Sequence, residues 1–129
     1  MQLGELEKQV LQYFWKGRIA DAKSVHTYFE KQRGGTLNTI QSTLDRLYKK
    51  GLLRREKQGH AFHYQAAMDR QAFIGKLIEG IGEDYSADPG STLIAAFSTF
   101  SEKLSDEQIE VLEKLIEARR EADAEQADK

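Results

Sequence analysis

Leu37, Ile40, Leu44 and Leu47 recur at steps of three and four, and beyond Gly51 that period disappears. Such a stripe is the buried face of an amphipathic helix, and a glycine at its end is a helix stop. The residues after Gly51 alternate instead. Leu52 to Lys57 leads into Gln58-Gly59, and His60 to Tyr64 places Phe62 and Tyr64 two residues apart. Gly59 can adopt the positive φ of a tight hairpin, so two short antiparallel strands are expected. Helical spacing resumes at about Asp69.

Two more helices precede the stripe. Leu6, Val10, Leu11 and Phe14 form one face over residues 4–16, with Glu5 and Glu7 at the positive end of the helix dipole and Gly17 as the stop. Ile19 lies in a short connector that can supply one residue pair of strand. Asp21 is placed to cap a second helix over 22–31, which turns Val25, Tyr28 and Phe29 inward and ends at Gly34-Gly35. Thr36 opens the third helix, which runs to about Lys50.

After the hairpin, a helix carrying Phe73, Leu77, Ile78 and Ile81 is followed by a break over 86–91 around Pro89. A short helix over 91–101 comes next. Ser105 to Gln108 has the form of a capping box opening a last helix, with Ile109, Leu112, Leu115 and Ile116 in its stripe. The expected fold is mainly α with a small β-hairpin: a winged helix-turn-helix DNA-binding domain over 1–68, then a helical dimerisation region over 69–120. A polar flexible tail over 121–129 completes it.

Charge divides along the same line. Residues 1–70 carry 13 Lys and Arg against 7 Asp and Glu, whereas residues 71–129 carry 6 against 14. This asymmetry suits an anionic partner for the first half, although solvated surface charge produces the same count. The third helix favours the first reading. With its leucines inward, the opposite face presents Asn38, Thr39, Ser42 and Arg46, with Gln41 at its edge and Lys49 and Lys50 near its end. Amides pair bidentately with adenine, hydroxyls accept varied partners, and the later cations reach phosphates or a guanine. Asp45 lies toward that face and is expected to hold Arg46. The hairpin extends the basic surface with Arg54, Arg55, Lys57, His60 and His63. Double-stranded operator DNA is therefore the expected partner.

Other classes have less support. No cysteine is present, so no thiolate ligates metal or attacks substrate. His60 and His63, three apart on a strand, point to opposite faces, and His26 sits beside core positions as a structural group. No nucleophile with a partnered base is evident, so no catalytic residues, metal or cofactor are assigned. Neither a membrane span nor a signal peptide is visible, which indicates a cytoplasmic protein without membrane insertion. The main rival is a winged-helix protein–protein interaction module, which would present an apolar patch where this chain has polar and basic groups.

Self-association follows from apolar excess. Phe73, Leu77, Ile81, Leu93, Phe97, Phe100, Ile109, Leu112 and Ile116 are more large side chains than about fifty residues can bury alone, so a homodimer is expected.

The segments LGELEKQVLQYFW and TLNTIQSTLDRLYKKGLLRREKQGHAFHY resemble the penicillinase repressor (BlaI/MecI/CopY) family of winged-helix transcriptional regulators. Weaker similarity continues through LIAAFSTFSEKLSDEQIEVLEKLIE. The resemblance implies a homodimeric repressor on a palindromic operator, dimerised through its C-terminal helices. It also implies DNA contacts at Thr36, Asn38, Thr39, Gln41, Ser42 and Arg46. Induction in the family implies a partner protease or sensor, and the matching cleavage step here is Ala96-Phe97, which keeps the family's Phe and lacks its Asn. The cysteine cluster of copper-responsive members is missing.

Overall fold

A computed structural model of the chain describes residues 2–128. Their order is α1 (Glu5–Phe14), α2 (Ala22–Glu30), α3 (Leu37–Lys49), β1 (Leu53–Gln58), β2 (Ala61–Ala66), α4 (Arg70–Tyr85), α5 (Pro89–Phe100), a 3-10 turn (Ser101–Lys103) and α6 (Asp106–Ala127). The chain forms two compact units that divide between Ile81 and Gly82. No helix among the described residues is long and apolar enough to cross a membrane.

Local chemistry sets the boundaries in the first unit. Asp21 accepts from Ser24 N at 2.9 Å and Thr36 accepts from Thr39 N at 3.2 Å, so each satisfies a free amide at the start of its helix. α3 ends in a Schellman motif: Gly51, at φ +78°, donates to Tyr48 O, and Leu52 donates to Leu47 O. That reversal carries the chain directly into β1. The strands pair from Leu53↔Ala66 to Gln58↔Ala61, leaving Gly59-His60 as a two-residue turn. Gly59 has φ +65° and His60 has none of the left-handed character, as in a type II′ hairpin. The connector supplies its one bridge, with Ala20 and Tyr64 exchanging backbone bonds of 3.1 and 2.8 Å.

The three helices and the hairpin share one core. Val10, Leu11, Phe14, Val25, Leu44, Leu47 and Leu52 are all but inaccessible, and Phe29, Ile40, Leu53 and Tyr64 close around them. Phe73 joins this core as well. Its ring lies 5.5 Å from that of Trp15, whose indole Nε1 donates to Met68 O at 3.1 Å. The first turns of α4 thus belong to the first unit, with Leu77 packed partly against its core. Phe73, expected on a dimer face, is buried in this core, and the compact unit closes after Ile81 where a boundary at 68/69 was expected.

Two further expectations change. The expected break over 86–91 ends at residue 88, because Pro89 starts α5: proline lacks the amide that the first helical position leaves free, and Asp88 caps the helix through Ser91 N. α6 continues through the expected flexible tail to Ala127. Its Ala, Glu and Arg residues favour helix, and Arg119 bonds Asp123 at 3.1 Å one turn on. Lys129 lies outside the described residues.

Leu44 is completely buried in the middle of α3. Leu44→Ala is expected to lower the unfolding free energy by about 2–5 kcal/mol, measured by urea titration, through lost burial plus the cavity left behind.

Candidate nucleic-acid interface

α3 sits with one face on the core and the other in solvent. Asn38, Thr39, Gln41, Ser42, Arg46 and Lys49 are all exposed or half-buried, and they occupy the outer face expected of them. Thr36 is exposed too, but its hydroxyl is engaged as the cap and lies 3.0 Å from that of Thr39. At the hairpin, Arg54, Lys57 and His60 are exposed, and no carboxylate among the described residues pairs with Arg54 or Lys57. His63 is half-buried on β2.

A buried carboxylate holds this surface from behind. Glu7 is 8% exposed on α1, in line with Val10, Leu11 and Phe14. Its Oε1 accepts from Gly4 N at 3.3 Å and its Oε2 from Lys50 Nζ at 2.7 Å, while Arg46 Nε lies 3.9 Å away. Lys50 also donates to Gln2 O at 3.3 Å. Burial pushes the Glu7 carboxyl up, but the Lys50 and Gly4 hydrogen bonds and the charges of Lys50 and Arg46 outweigh it and hold it below the ordinary range. Arg46 Nη2 donates to Thr43 Oγ1 at 3.2 Å, and the buried Thr43 hydroxyl donates to Thr39 O at 2.8 Å. The guanidinium is thereby given a fixed direction while its side chain stays 52% exposed.

A second strut joins α3 to the hairpin. Arg55 lies between the rings of Tyr48 and Phe62, 3.9 and 4.1 Å from their centroids, and bonds Asp45 at 3.4 Å. Asp45 also holds Lys49 at 3.0 Å, and these cations keep its carboxyl below the ordinary range. Asp45 therefore braces Lys49 and Arg55, not Arg46 as expected. Lys50 and Arg55, expected to reach DNA, are half-buried and engaged within the fold, Lys50 by Glu7 and Arg55 by Asp45 and the two rings. Tyr48, 37% exposed, forms one wall of the gap that holds Arg55.

His26 Nε2 donates to Gly35 O at 3.1 Å and so fixes the turn leading into α3. Glu7 was legible only as a first-turn acid. Its position in an otherwise apolar stripe was the available signal of a buried partner. Ala96 and Phe97 lie within α5, where Phe97 packs edge-on against Phe100 at 5.0 Å.

The penicillinase repressor family model matches residues 3–118. The methicillin resistance regulatory protein MecI of Mammaliicoccus sciuri is 24% identical over 115 residues, which cover 89% of this chain and 93% of that protein. The penicillinase repressor of Bacillus licheniformis is 27% identical over 120 residues, 92% of each chain. Among solved structures, the DNA-binding domain of the repressor BlaI matches with a TM-score of 0.50 and 32% identity, over 54% of this chain and 84% of that domain.

Glu7→Gln is expected to cost about 2 kcal/mol at neutral pH, the worth of a hydrogen bond to a charged group. Because the folded carboxyl titrates below its ordinary value of 4.5, its contribution is complete above that pH and is lost as pH falls through the folded value. Acid unfolding of the variant should accordingly be less steep over that window, as read by circular dichroism.

Proposed function

We infer that this chain, which belongs to the penicillinase repressor family, is a sequence-specific DNA-binding transcriptional repressor acting as a homodimer on a palindromic operator. The observation that carries the reading is the outer row of α3, where amides and hydroxyls reach solvent and are backed by a braced arginine. In the major groove, Asn38 and Gln41 offer the bidentate donor–acceptor pair that adenine matches. Thr39 and Ser42 serve hydroxyl or methyl contacts, and Arg46 suits a guanine or a phosphate. Lys49 can exchange its exposed pairing with Asp45 for a phosphate at little cost, since such pairs are weak in water. Arg54, Lys57 and His60 extend along the backbone as the wing.

The second unit supports the dimer. Neither α5 nor α6 has a buried residue, and Ile94 (74%), Val111 (58%), Leu115 (61%) and Ile116 (53%) face solvent in the single chain. Ile81 and Phe100 are exposed as well, and Leu93, Phe97, Ile109 and Leu112 are half-buried. A second copy covers such a surface with the same surface, and two-fold symmetry gives two reading helices for two half-sites one helical turn of DNA apart. Bound there in the cytoplasm, the dimer blocks transcription. A cut by a partner protease at Ala96-Phe97 would split α5 and detach α6 from the dimer, which would weaken DNA binding without touching α3.

Arg46→Ala should weaken operator binding by about 1–3 kcal/mol and relax base preference, whereas Lys49→Ala should weaken all duplexes alike and reduce the salt slope by about 1. Titrations of labelled operator at several salt concentrations read both. An Ile94→Glu/Leu115→Glu chain should sediment as a monomer and bind a full operator poorly. A dimer of unchanged stability would remove this face from the interface.

A further inference from the structure

The C-terminal turns of α1 and α2 enclose a half-open cleft of about 360 Å³ within the first unit. Glu7, Val10, Leu11 and Phe14 turn one side of α1 toward the core and α3, whereas Gln9, Gln12 and Lys16 project from the opposite side into the cleft. Tyr13 and Tyr28 form an aromatic floor, with ring centroids 4.9 Å apart.

Lys16, Arg33 and Arg70 line this space, and no carboxylate does. Among the described residues, none of the three has an acidic partner within 4.0 Å, and Arg33 is held only by the Gln9 amide oxygen at 3.2 Å. Arg18 does not line the cleft but stacks on the same two tyrosines, 4.5 and 4.9 Å from the Tyr13 and Tyr28 rings. The Gln32 amide and the Arg18 guanidinium beside the Tyr28 hydroxyl hold that phenol below the ordinary tyrosine range. Lys16, Arg18 and Arg33 follow helix C-termini, where cations offset the dipole. A solvated cation does that equally well, so the dipole does not account for three cations lining one cleft without a carboxylate.

We propose that this cleft is a binding site for a small aromatic carboxylate. The ring of such a ligand stacks on Tyr13 and Tyr28, and its carboxylate is taken by Lys16, Arg33 and Arg70, with the glutamine amides hydrogen-bonding any ring substituents. The volume suits a body of one or two fused rings. Nucleic acid is a poor occupant, because the cleft opens on the side of α1 away from α3.

The test is a titration of the full chain with 2-naphthoate, followed by amide shifts in nitrogen–proton correlation spectra. Saturable shifts are expected for residues 9–16, 28–33 and 70. The uncharged 2-naphthamide should bind at least about tenfold more weakly, as should naphthoate to Lys16→Gln/Arg33→Gln, whose exposed side chains leave the melting temperature unchanged. Shifts confined to α4–α6, no saturation, or equal binding of acid and amide would each overturn the proposal. The acid–amide comparison uses the unmodified protein and so holds even if the variant folds poorly. Operator binding is read separately, so failure of this site leaves the DNA reading intact, and the reverse.

Discussion

The Glu7 carboxylate is the interaction on which the reading surface depends. It is an acid within an apolar stripe, removed from water, and it is tolerable only because Gly4, Lys50 and Arg46 surround it. Those partners lie at the beginning of α1 and in the last turns of α3. A single group therefore fixes where the first helix begins and how the third is rotated. Hydrophobic contacts through Val10, Leu44 and Leu47 supply the stability, but apolar surfaces slide. A charged pair at 2.7 Å has one register, so Glu7 decides which residues of α3 face outward.

The hairpin is tied to the same helix by different chemistry. Arg55 pairs with Tyr64 across the hairpin, and its guanidinium is clasped by Tyr48 and Phe62 and neutralised in part by Asp45. Helix and wing thus move as one body, which matters because base contacts and phosphate contacts must be satisfied together. The cost is that two cations of the most basic stretch, Lys50 and Arg55, serve the protein's own architecture.

Those details explain what was legible in the sequence. Boundaries set by neighbours in the chain could be read directly: Asp21 and Thr36 as caps, Gly51 as a stop, Gly59 as a turn. The α3 face could be read too, because helical spacing fixes which residues are opposite the leucines. Partners far apart in sequence could not. Glu7 and Lys50 are 43 residues apart, and only packing brings them together. The same ignorance assigned Asp45 to its neighbour Arg46, when the third dimension offered Arg55. Phe73 was misplaced for a related reason, since an apolar stripe reveals that a helix is buried and not against what. The tail was misjudged by treating polarity as disorder, although Ala, Glu and Arg sustain a helix that has no core to join.

The two units therefore solve opposite problems. The first buries Leu44, Leu47 and Val10 completely and needs nothing further to hold its shape. The second, from Gly82, has its chain regularly hydrogen-bonded into helices yet leaves its large side chains half-buried or in water. Helical hydrogen bonds alone rarely hold short helices together, which is the physical ground for proposing that a second copy covers this unit. If the second unit pairs with its copy as proposed, the reading surface stays in the well-packed unit and control falls where free energy is shared between copies. In the proposed dimer, an event that weakened the shared face would lower the concentration of dimers by mass action, and each head released alone would lose the second half-site.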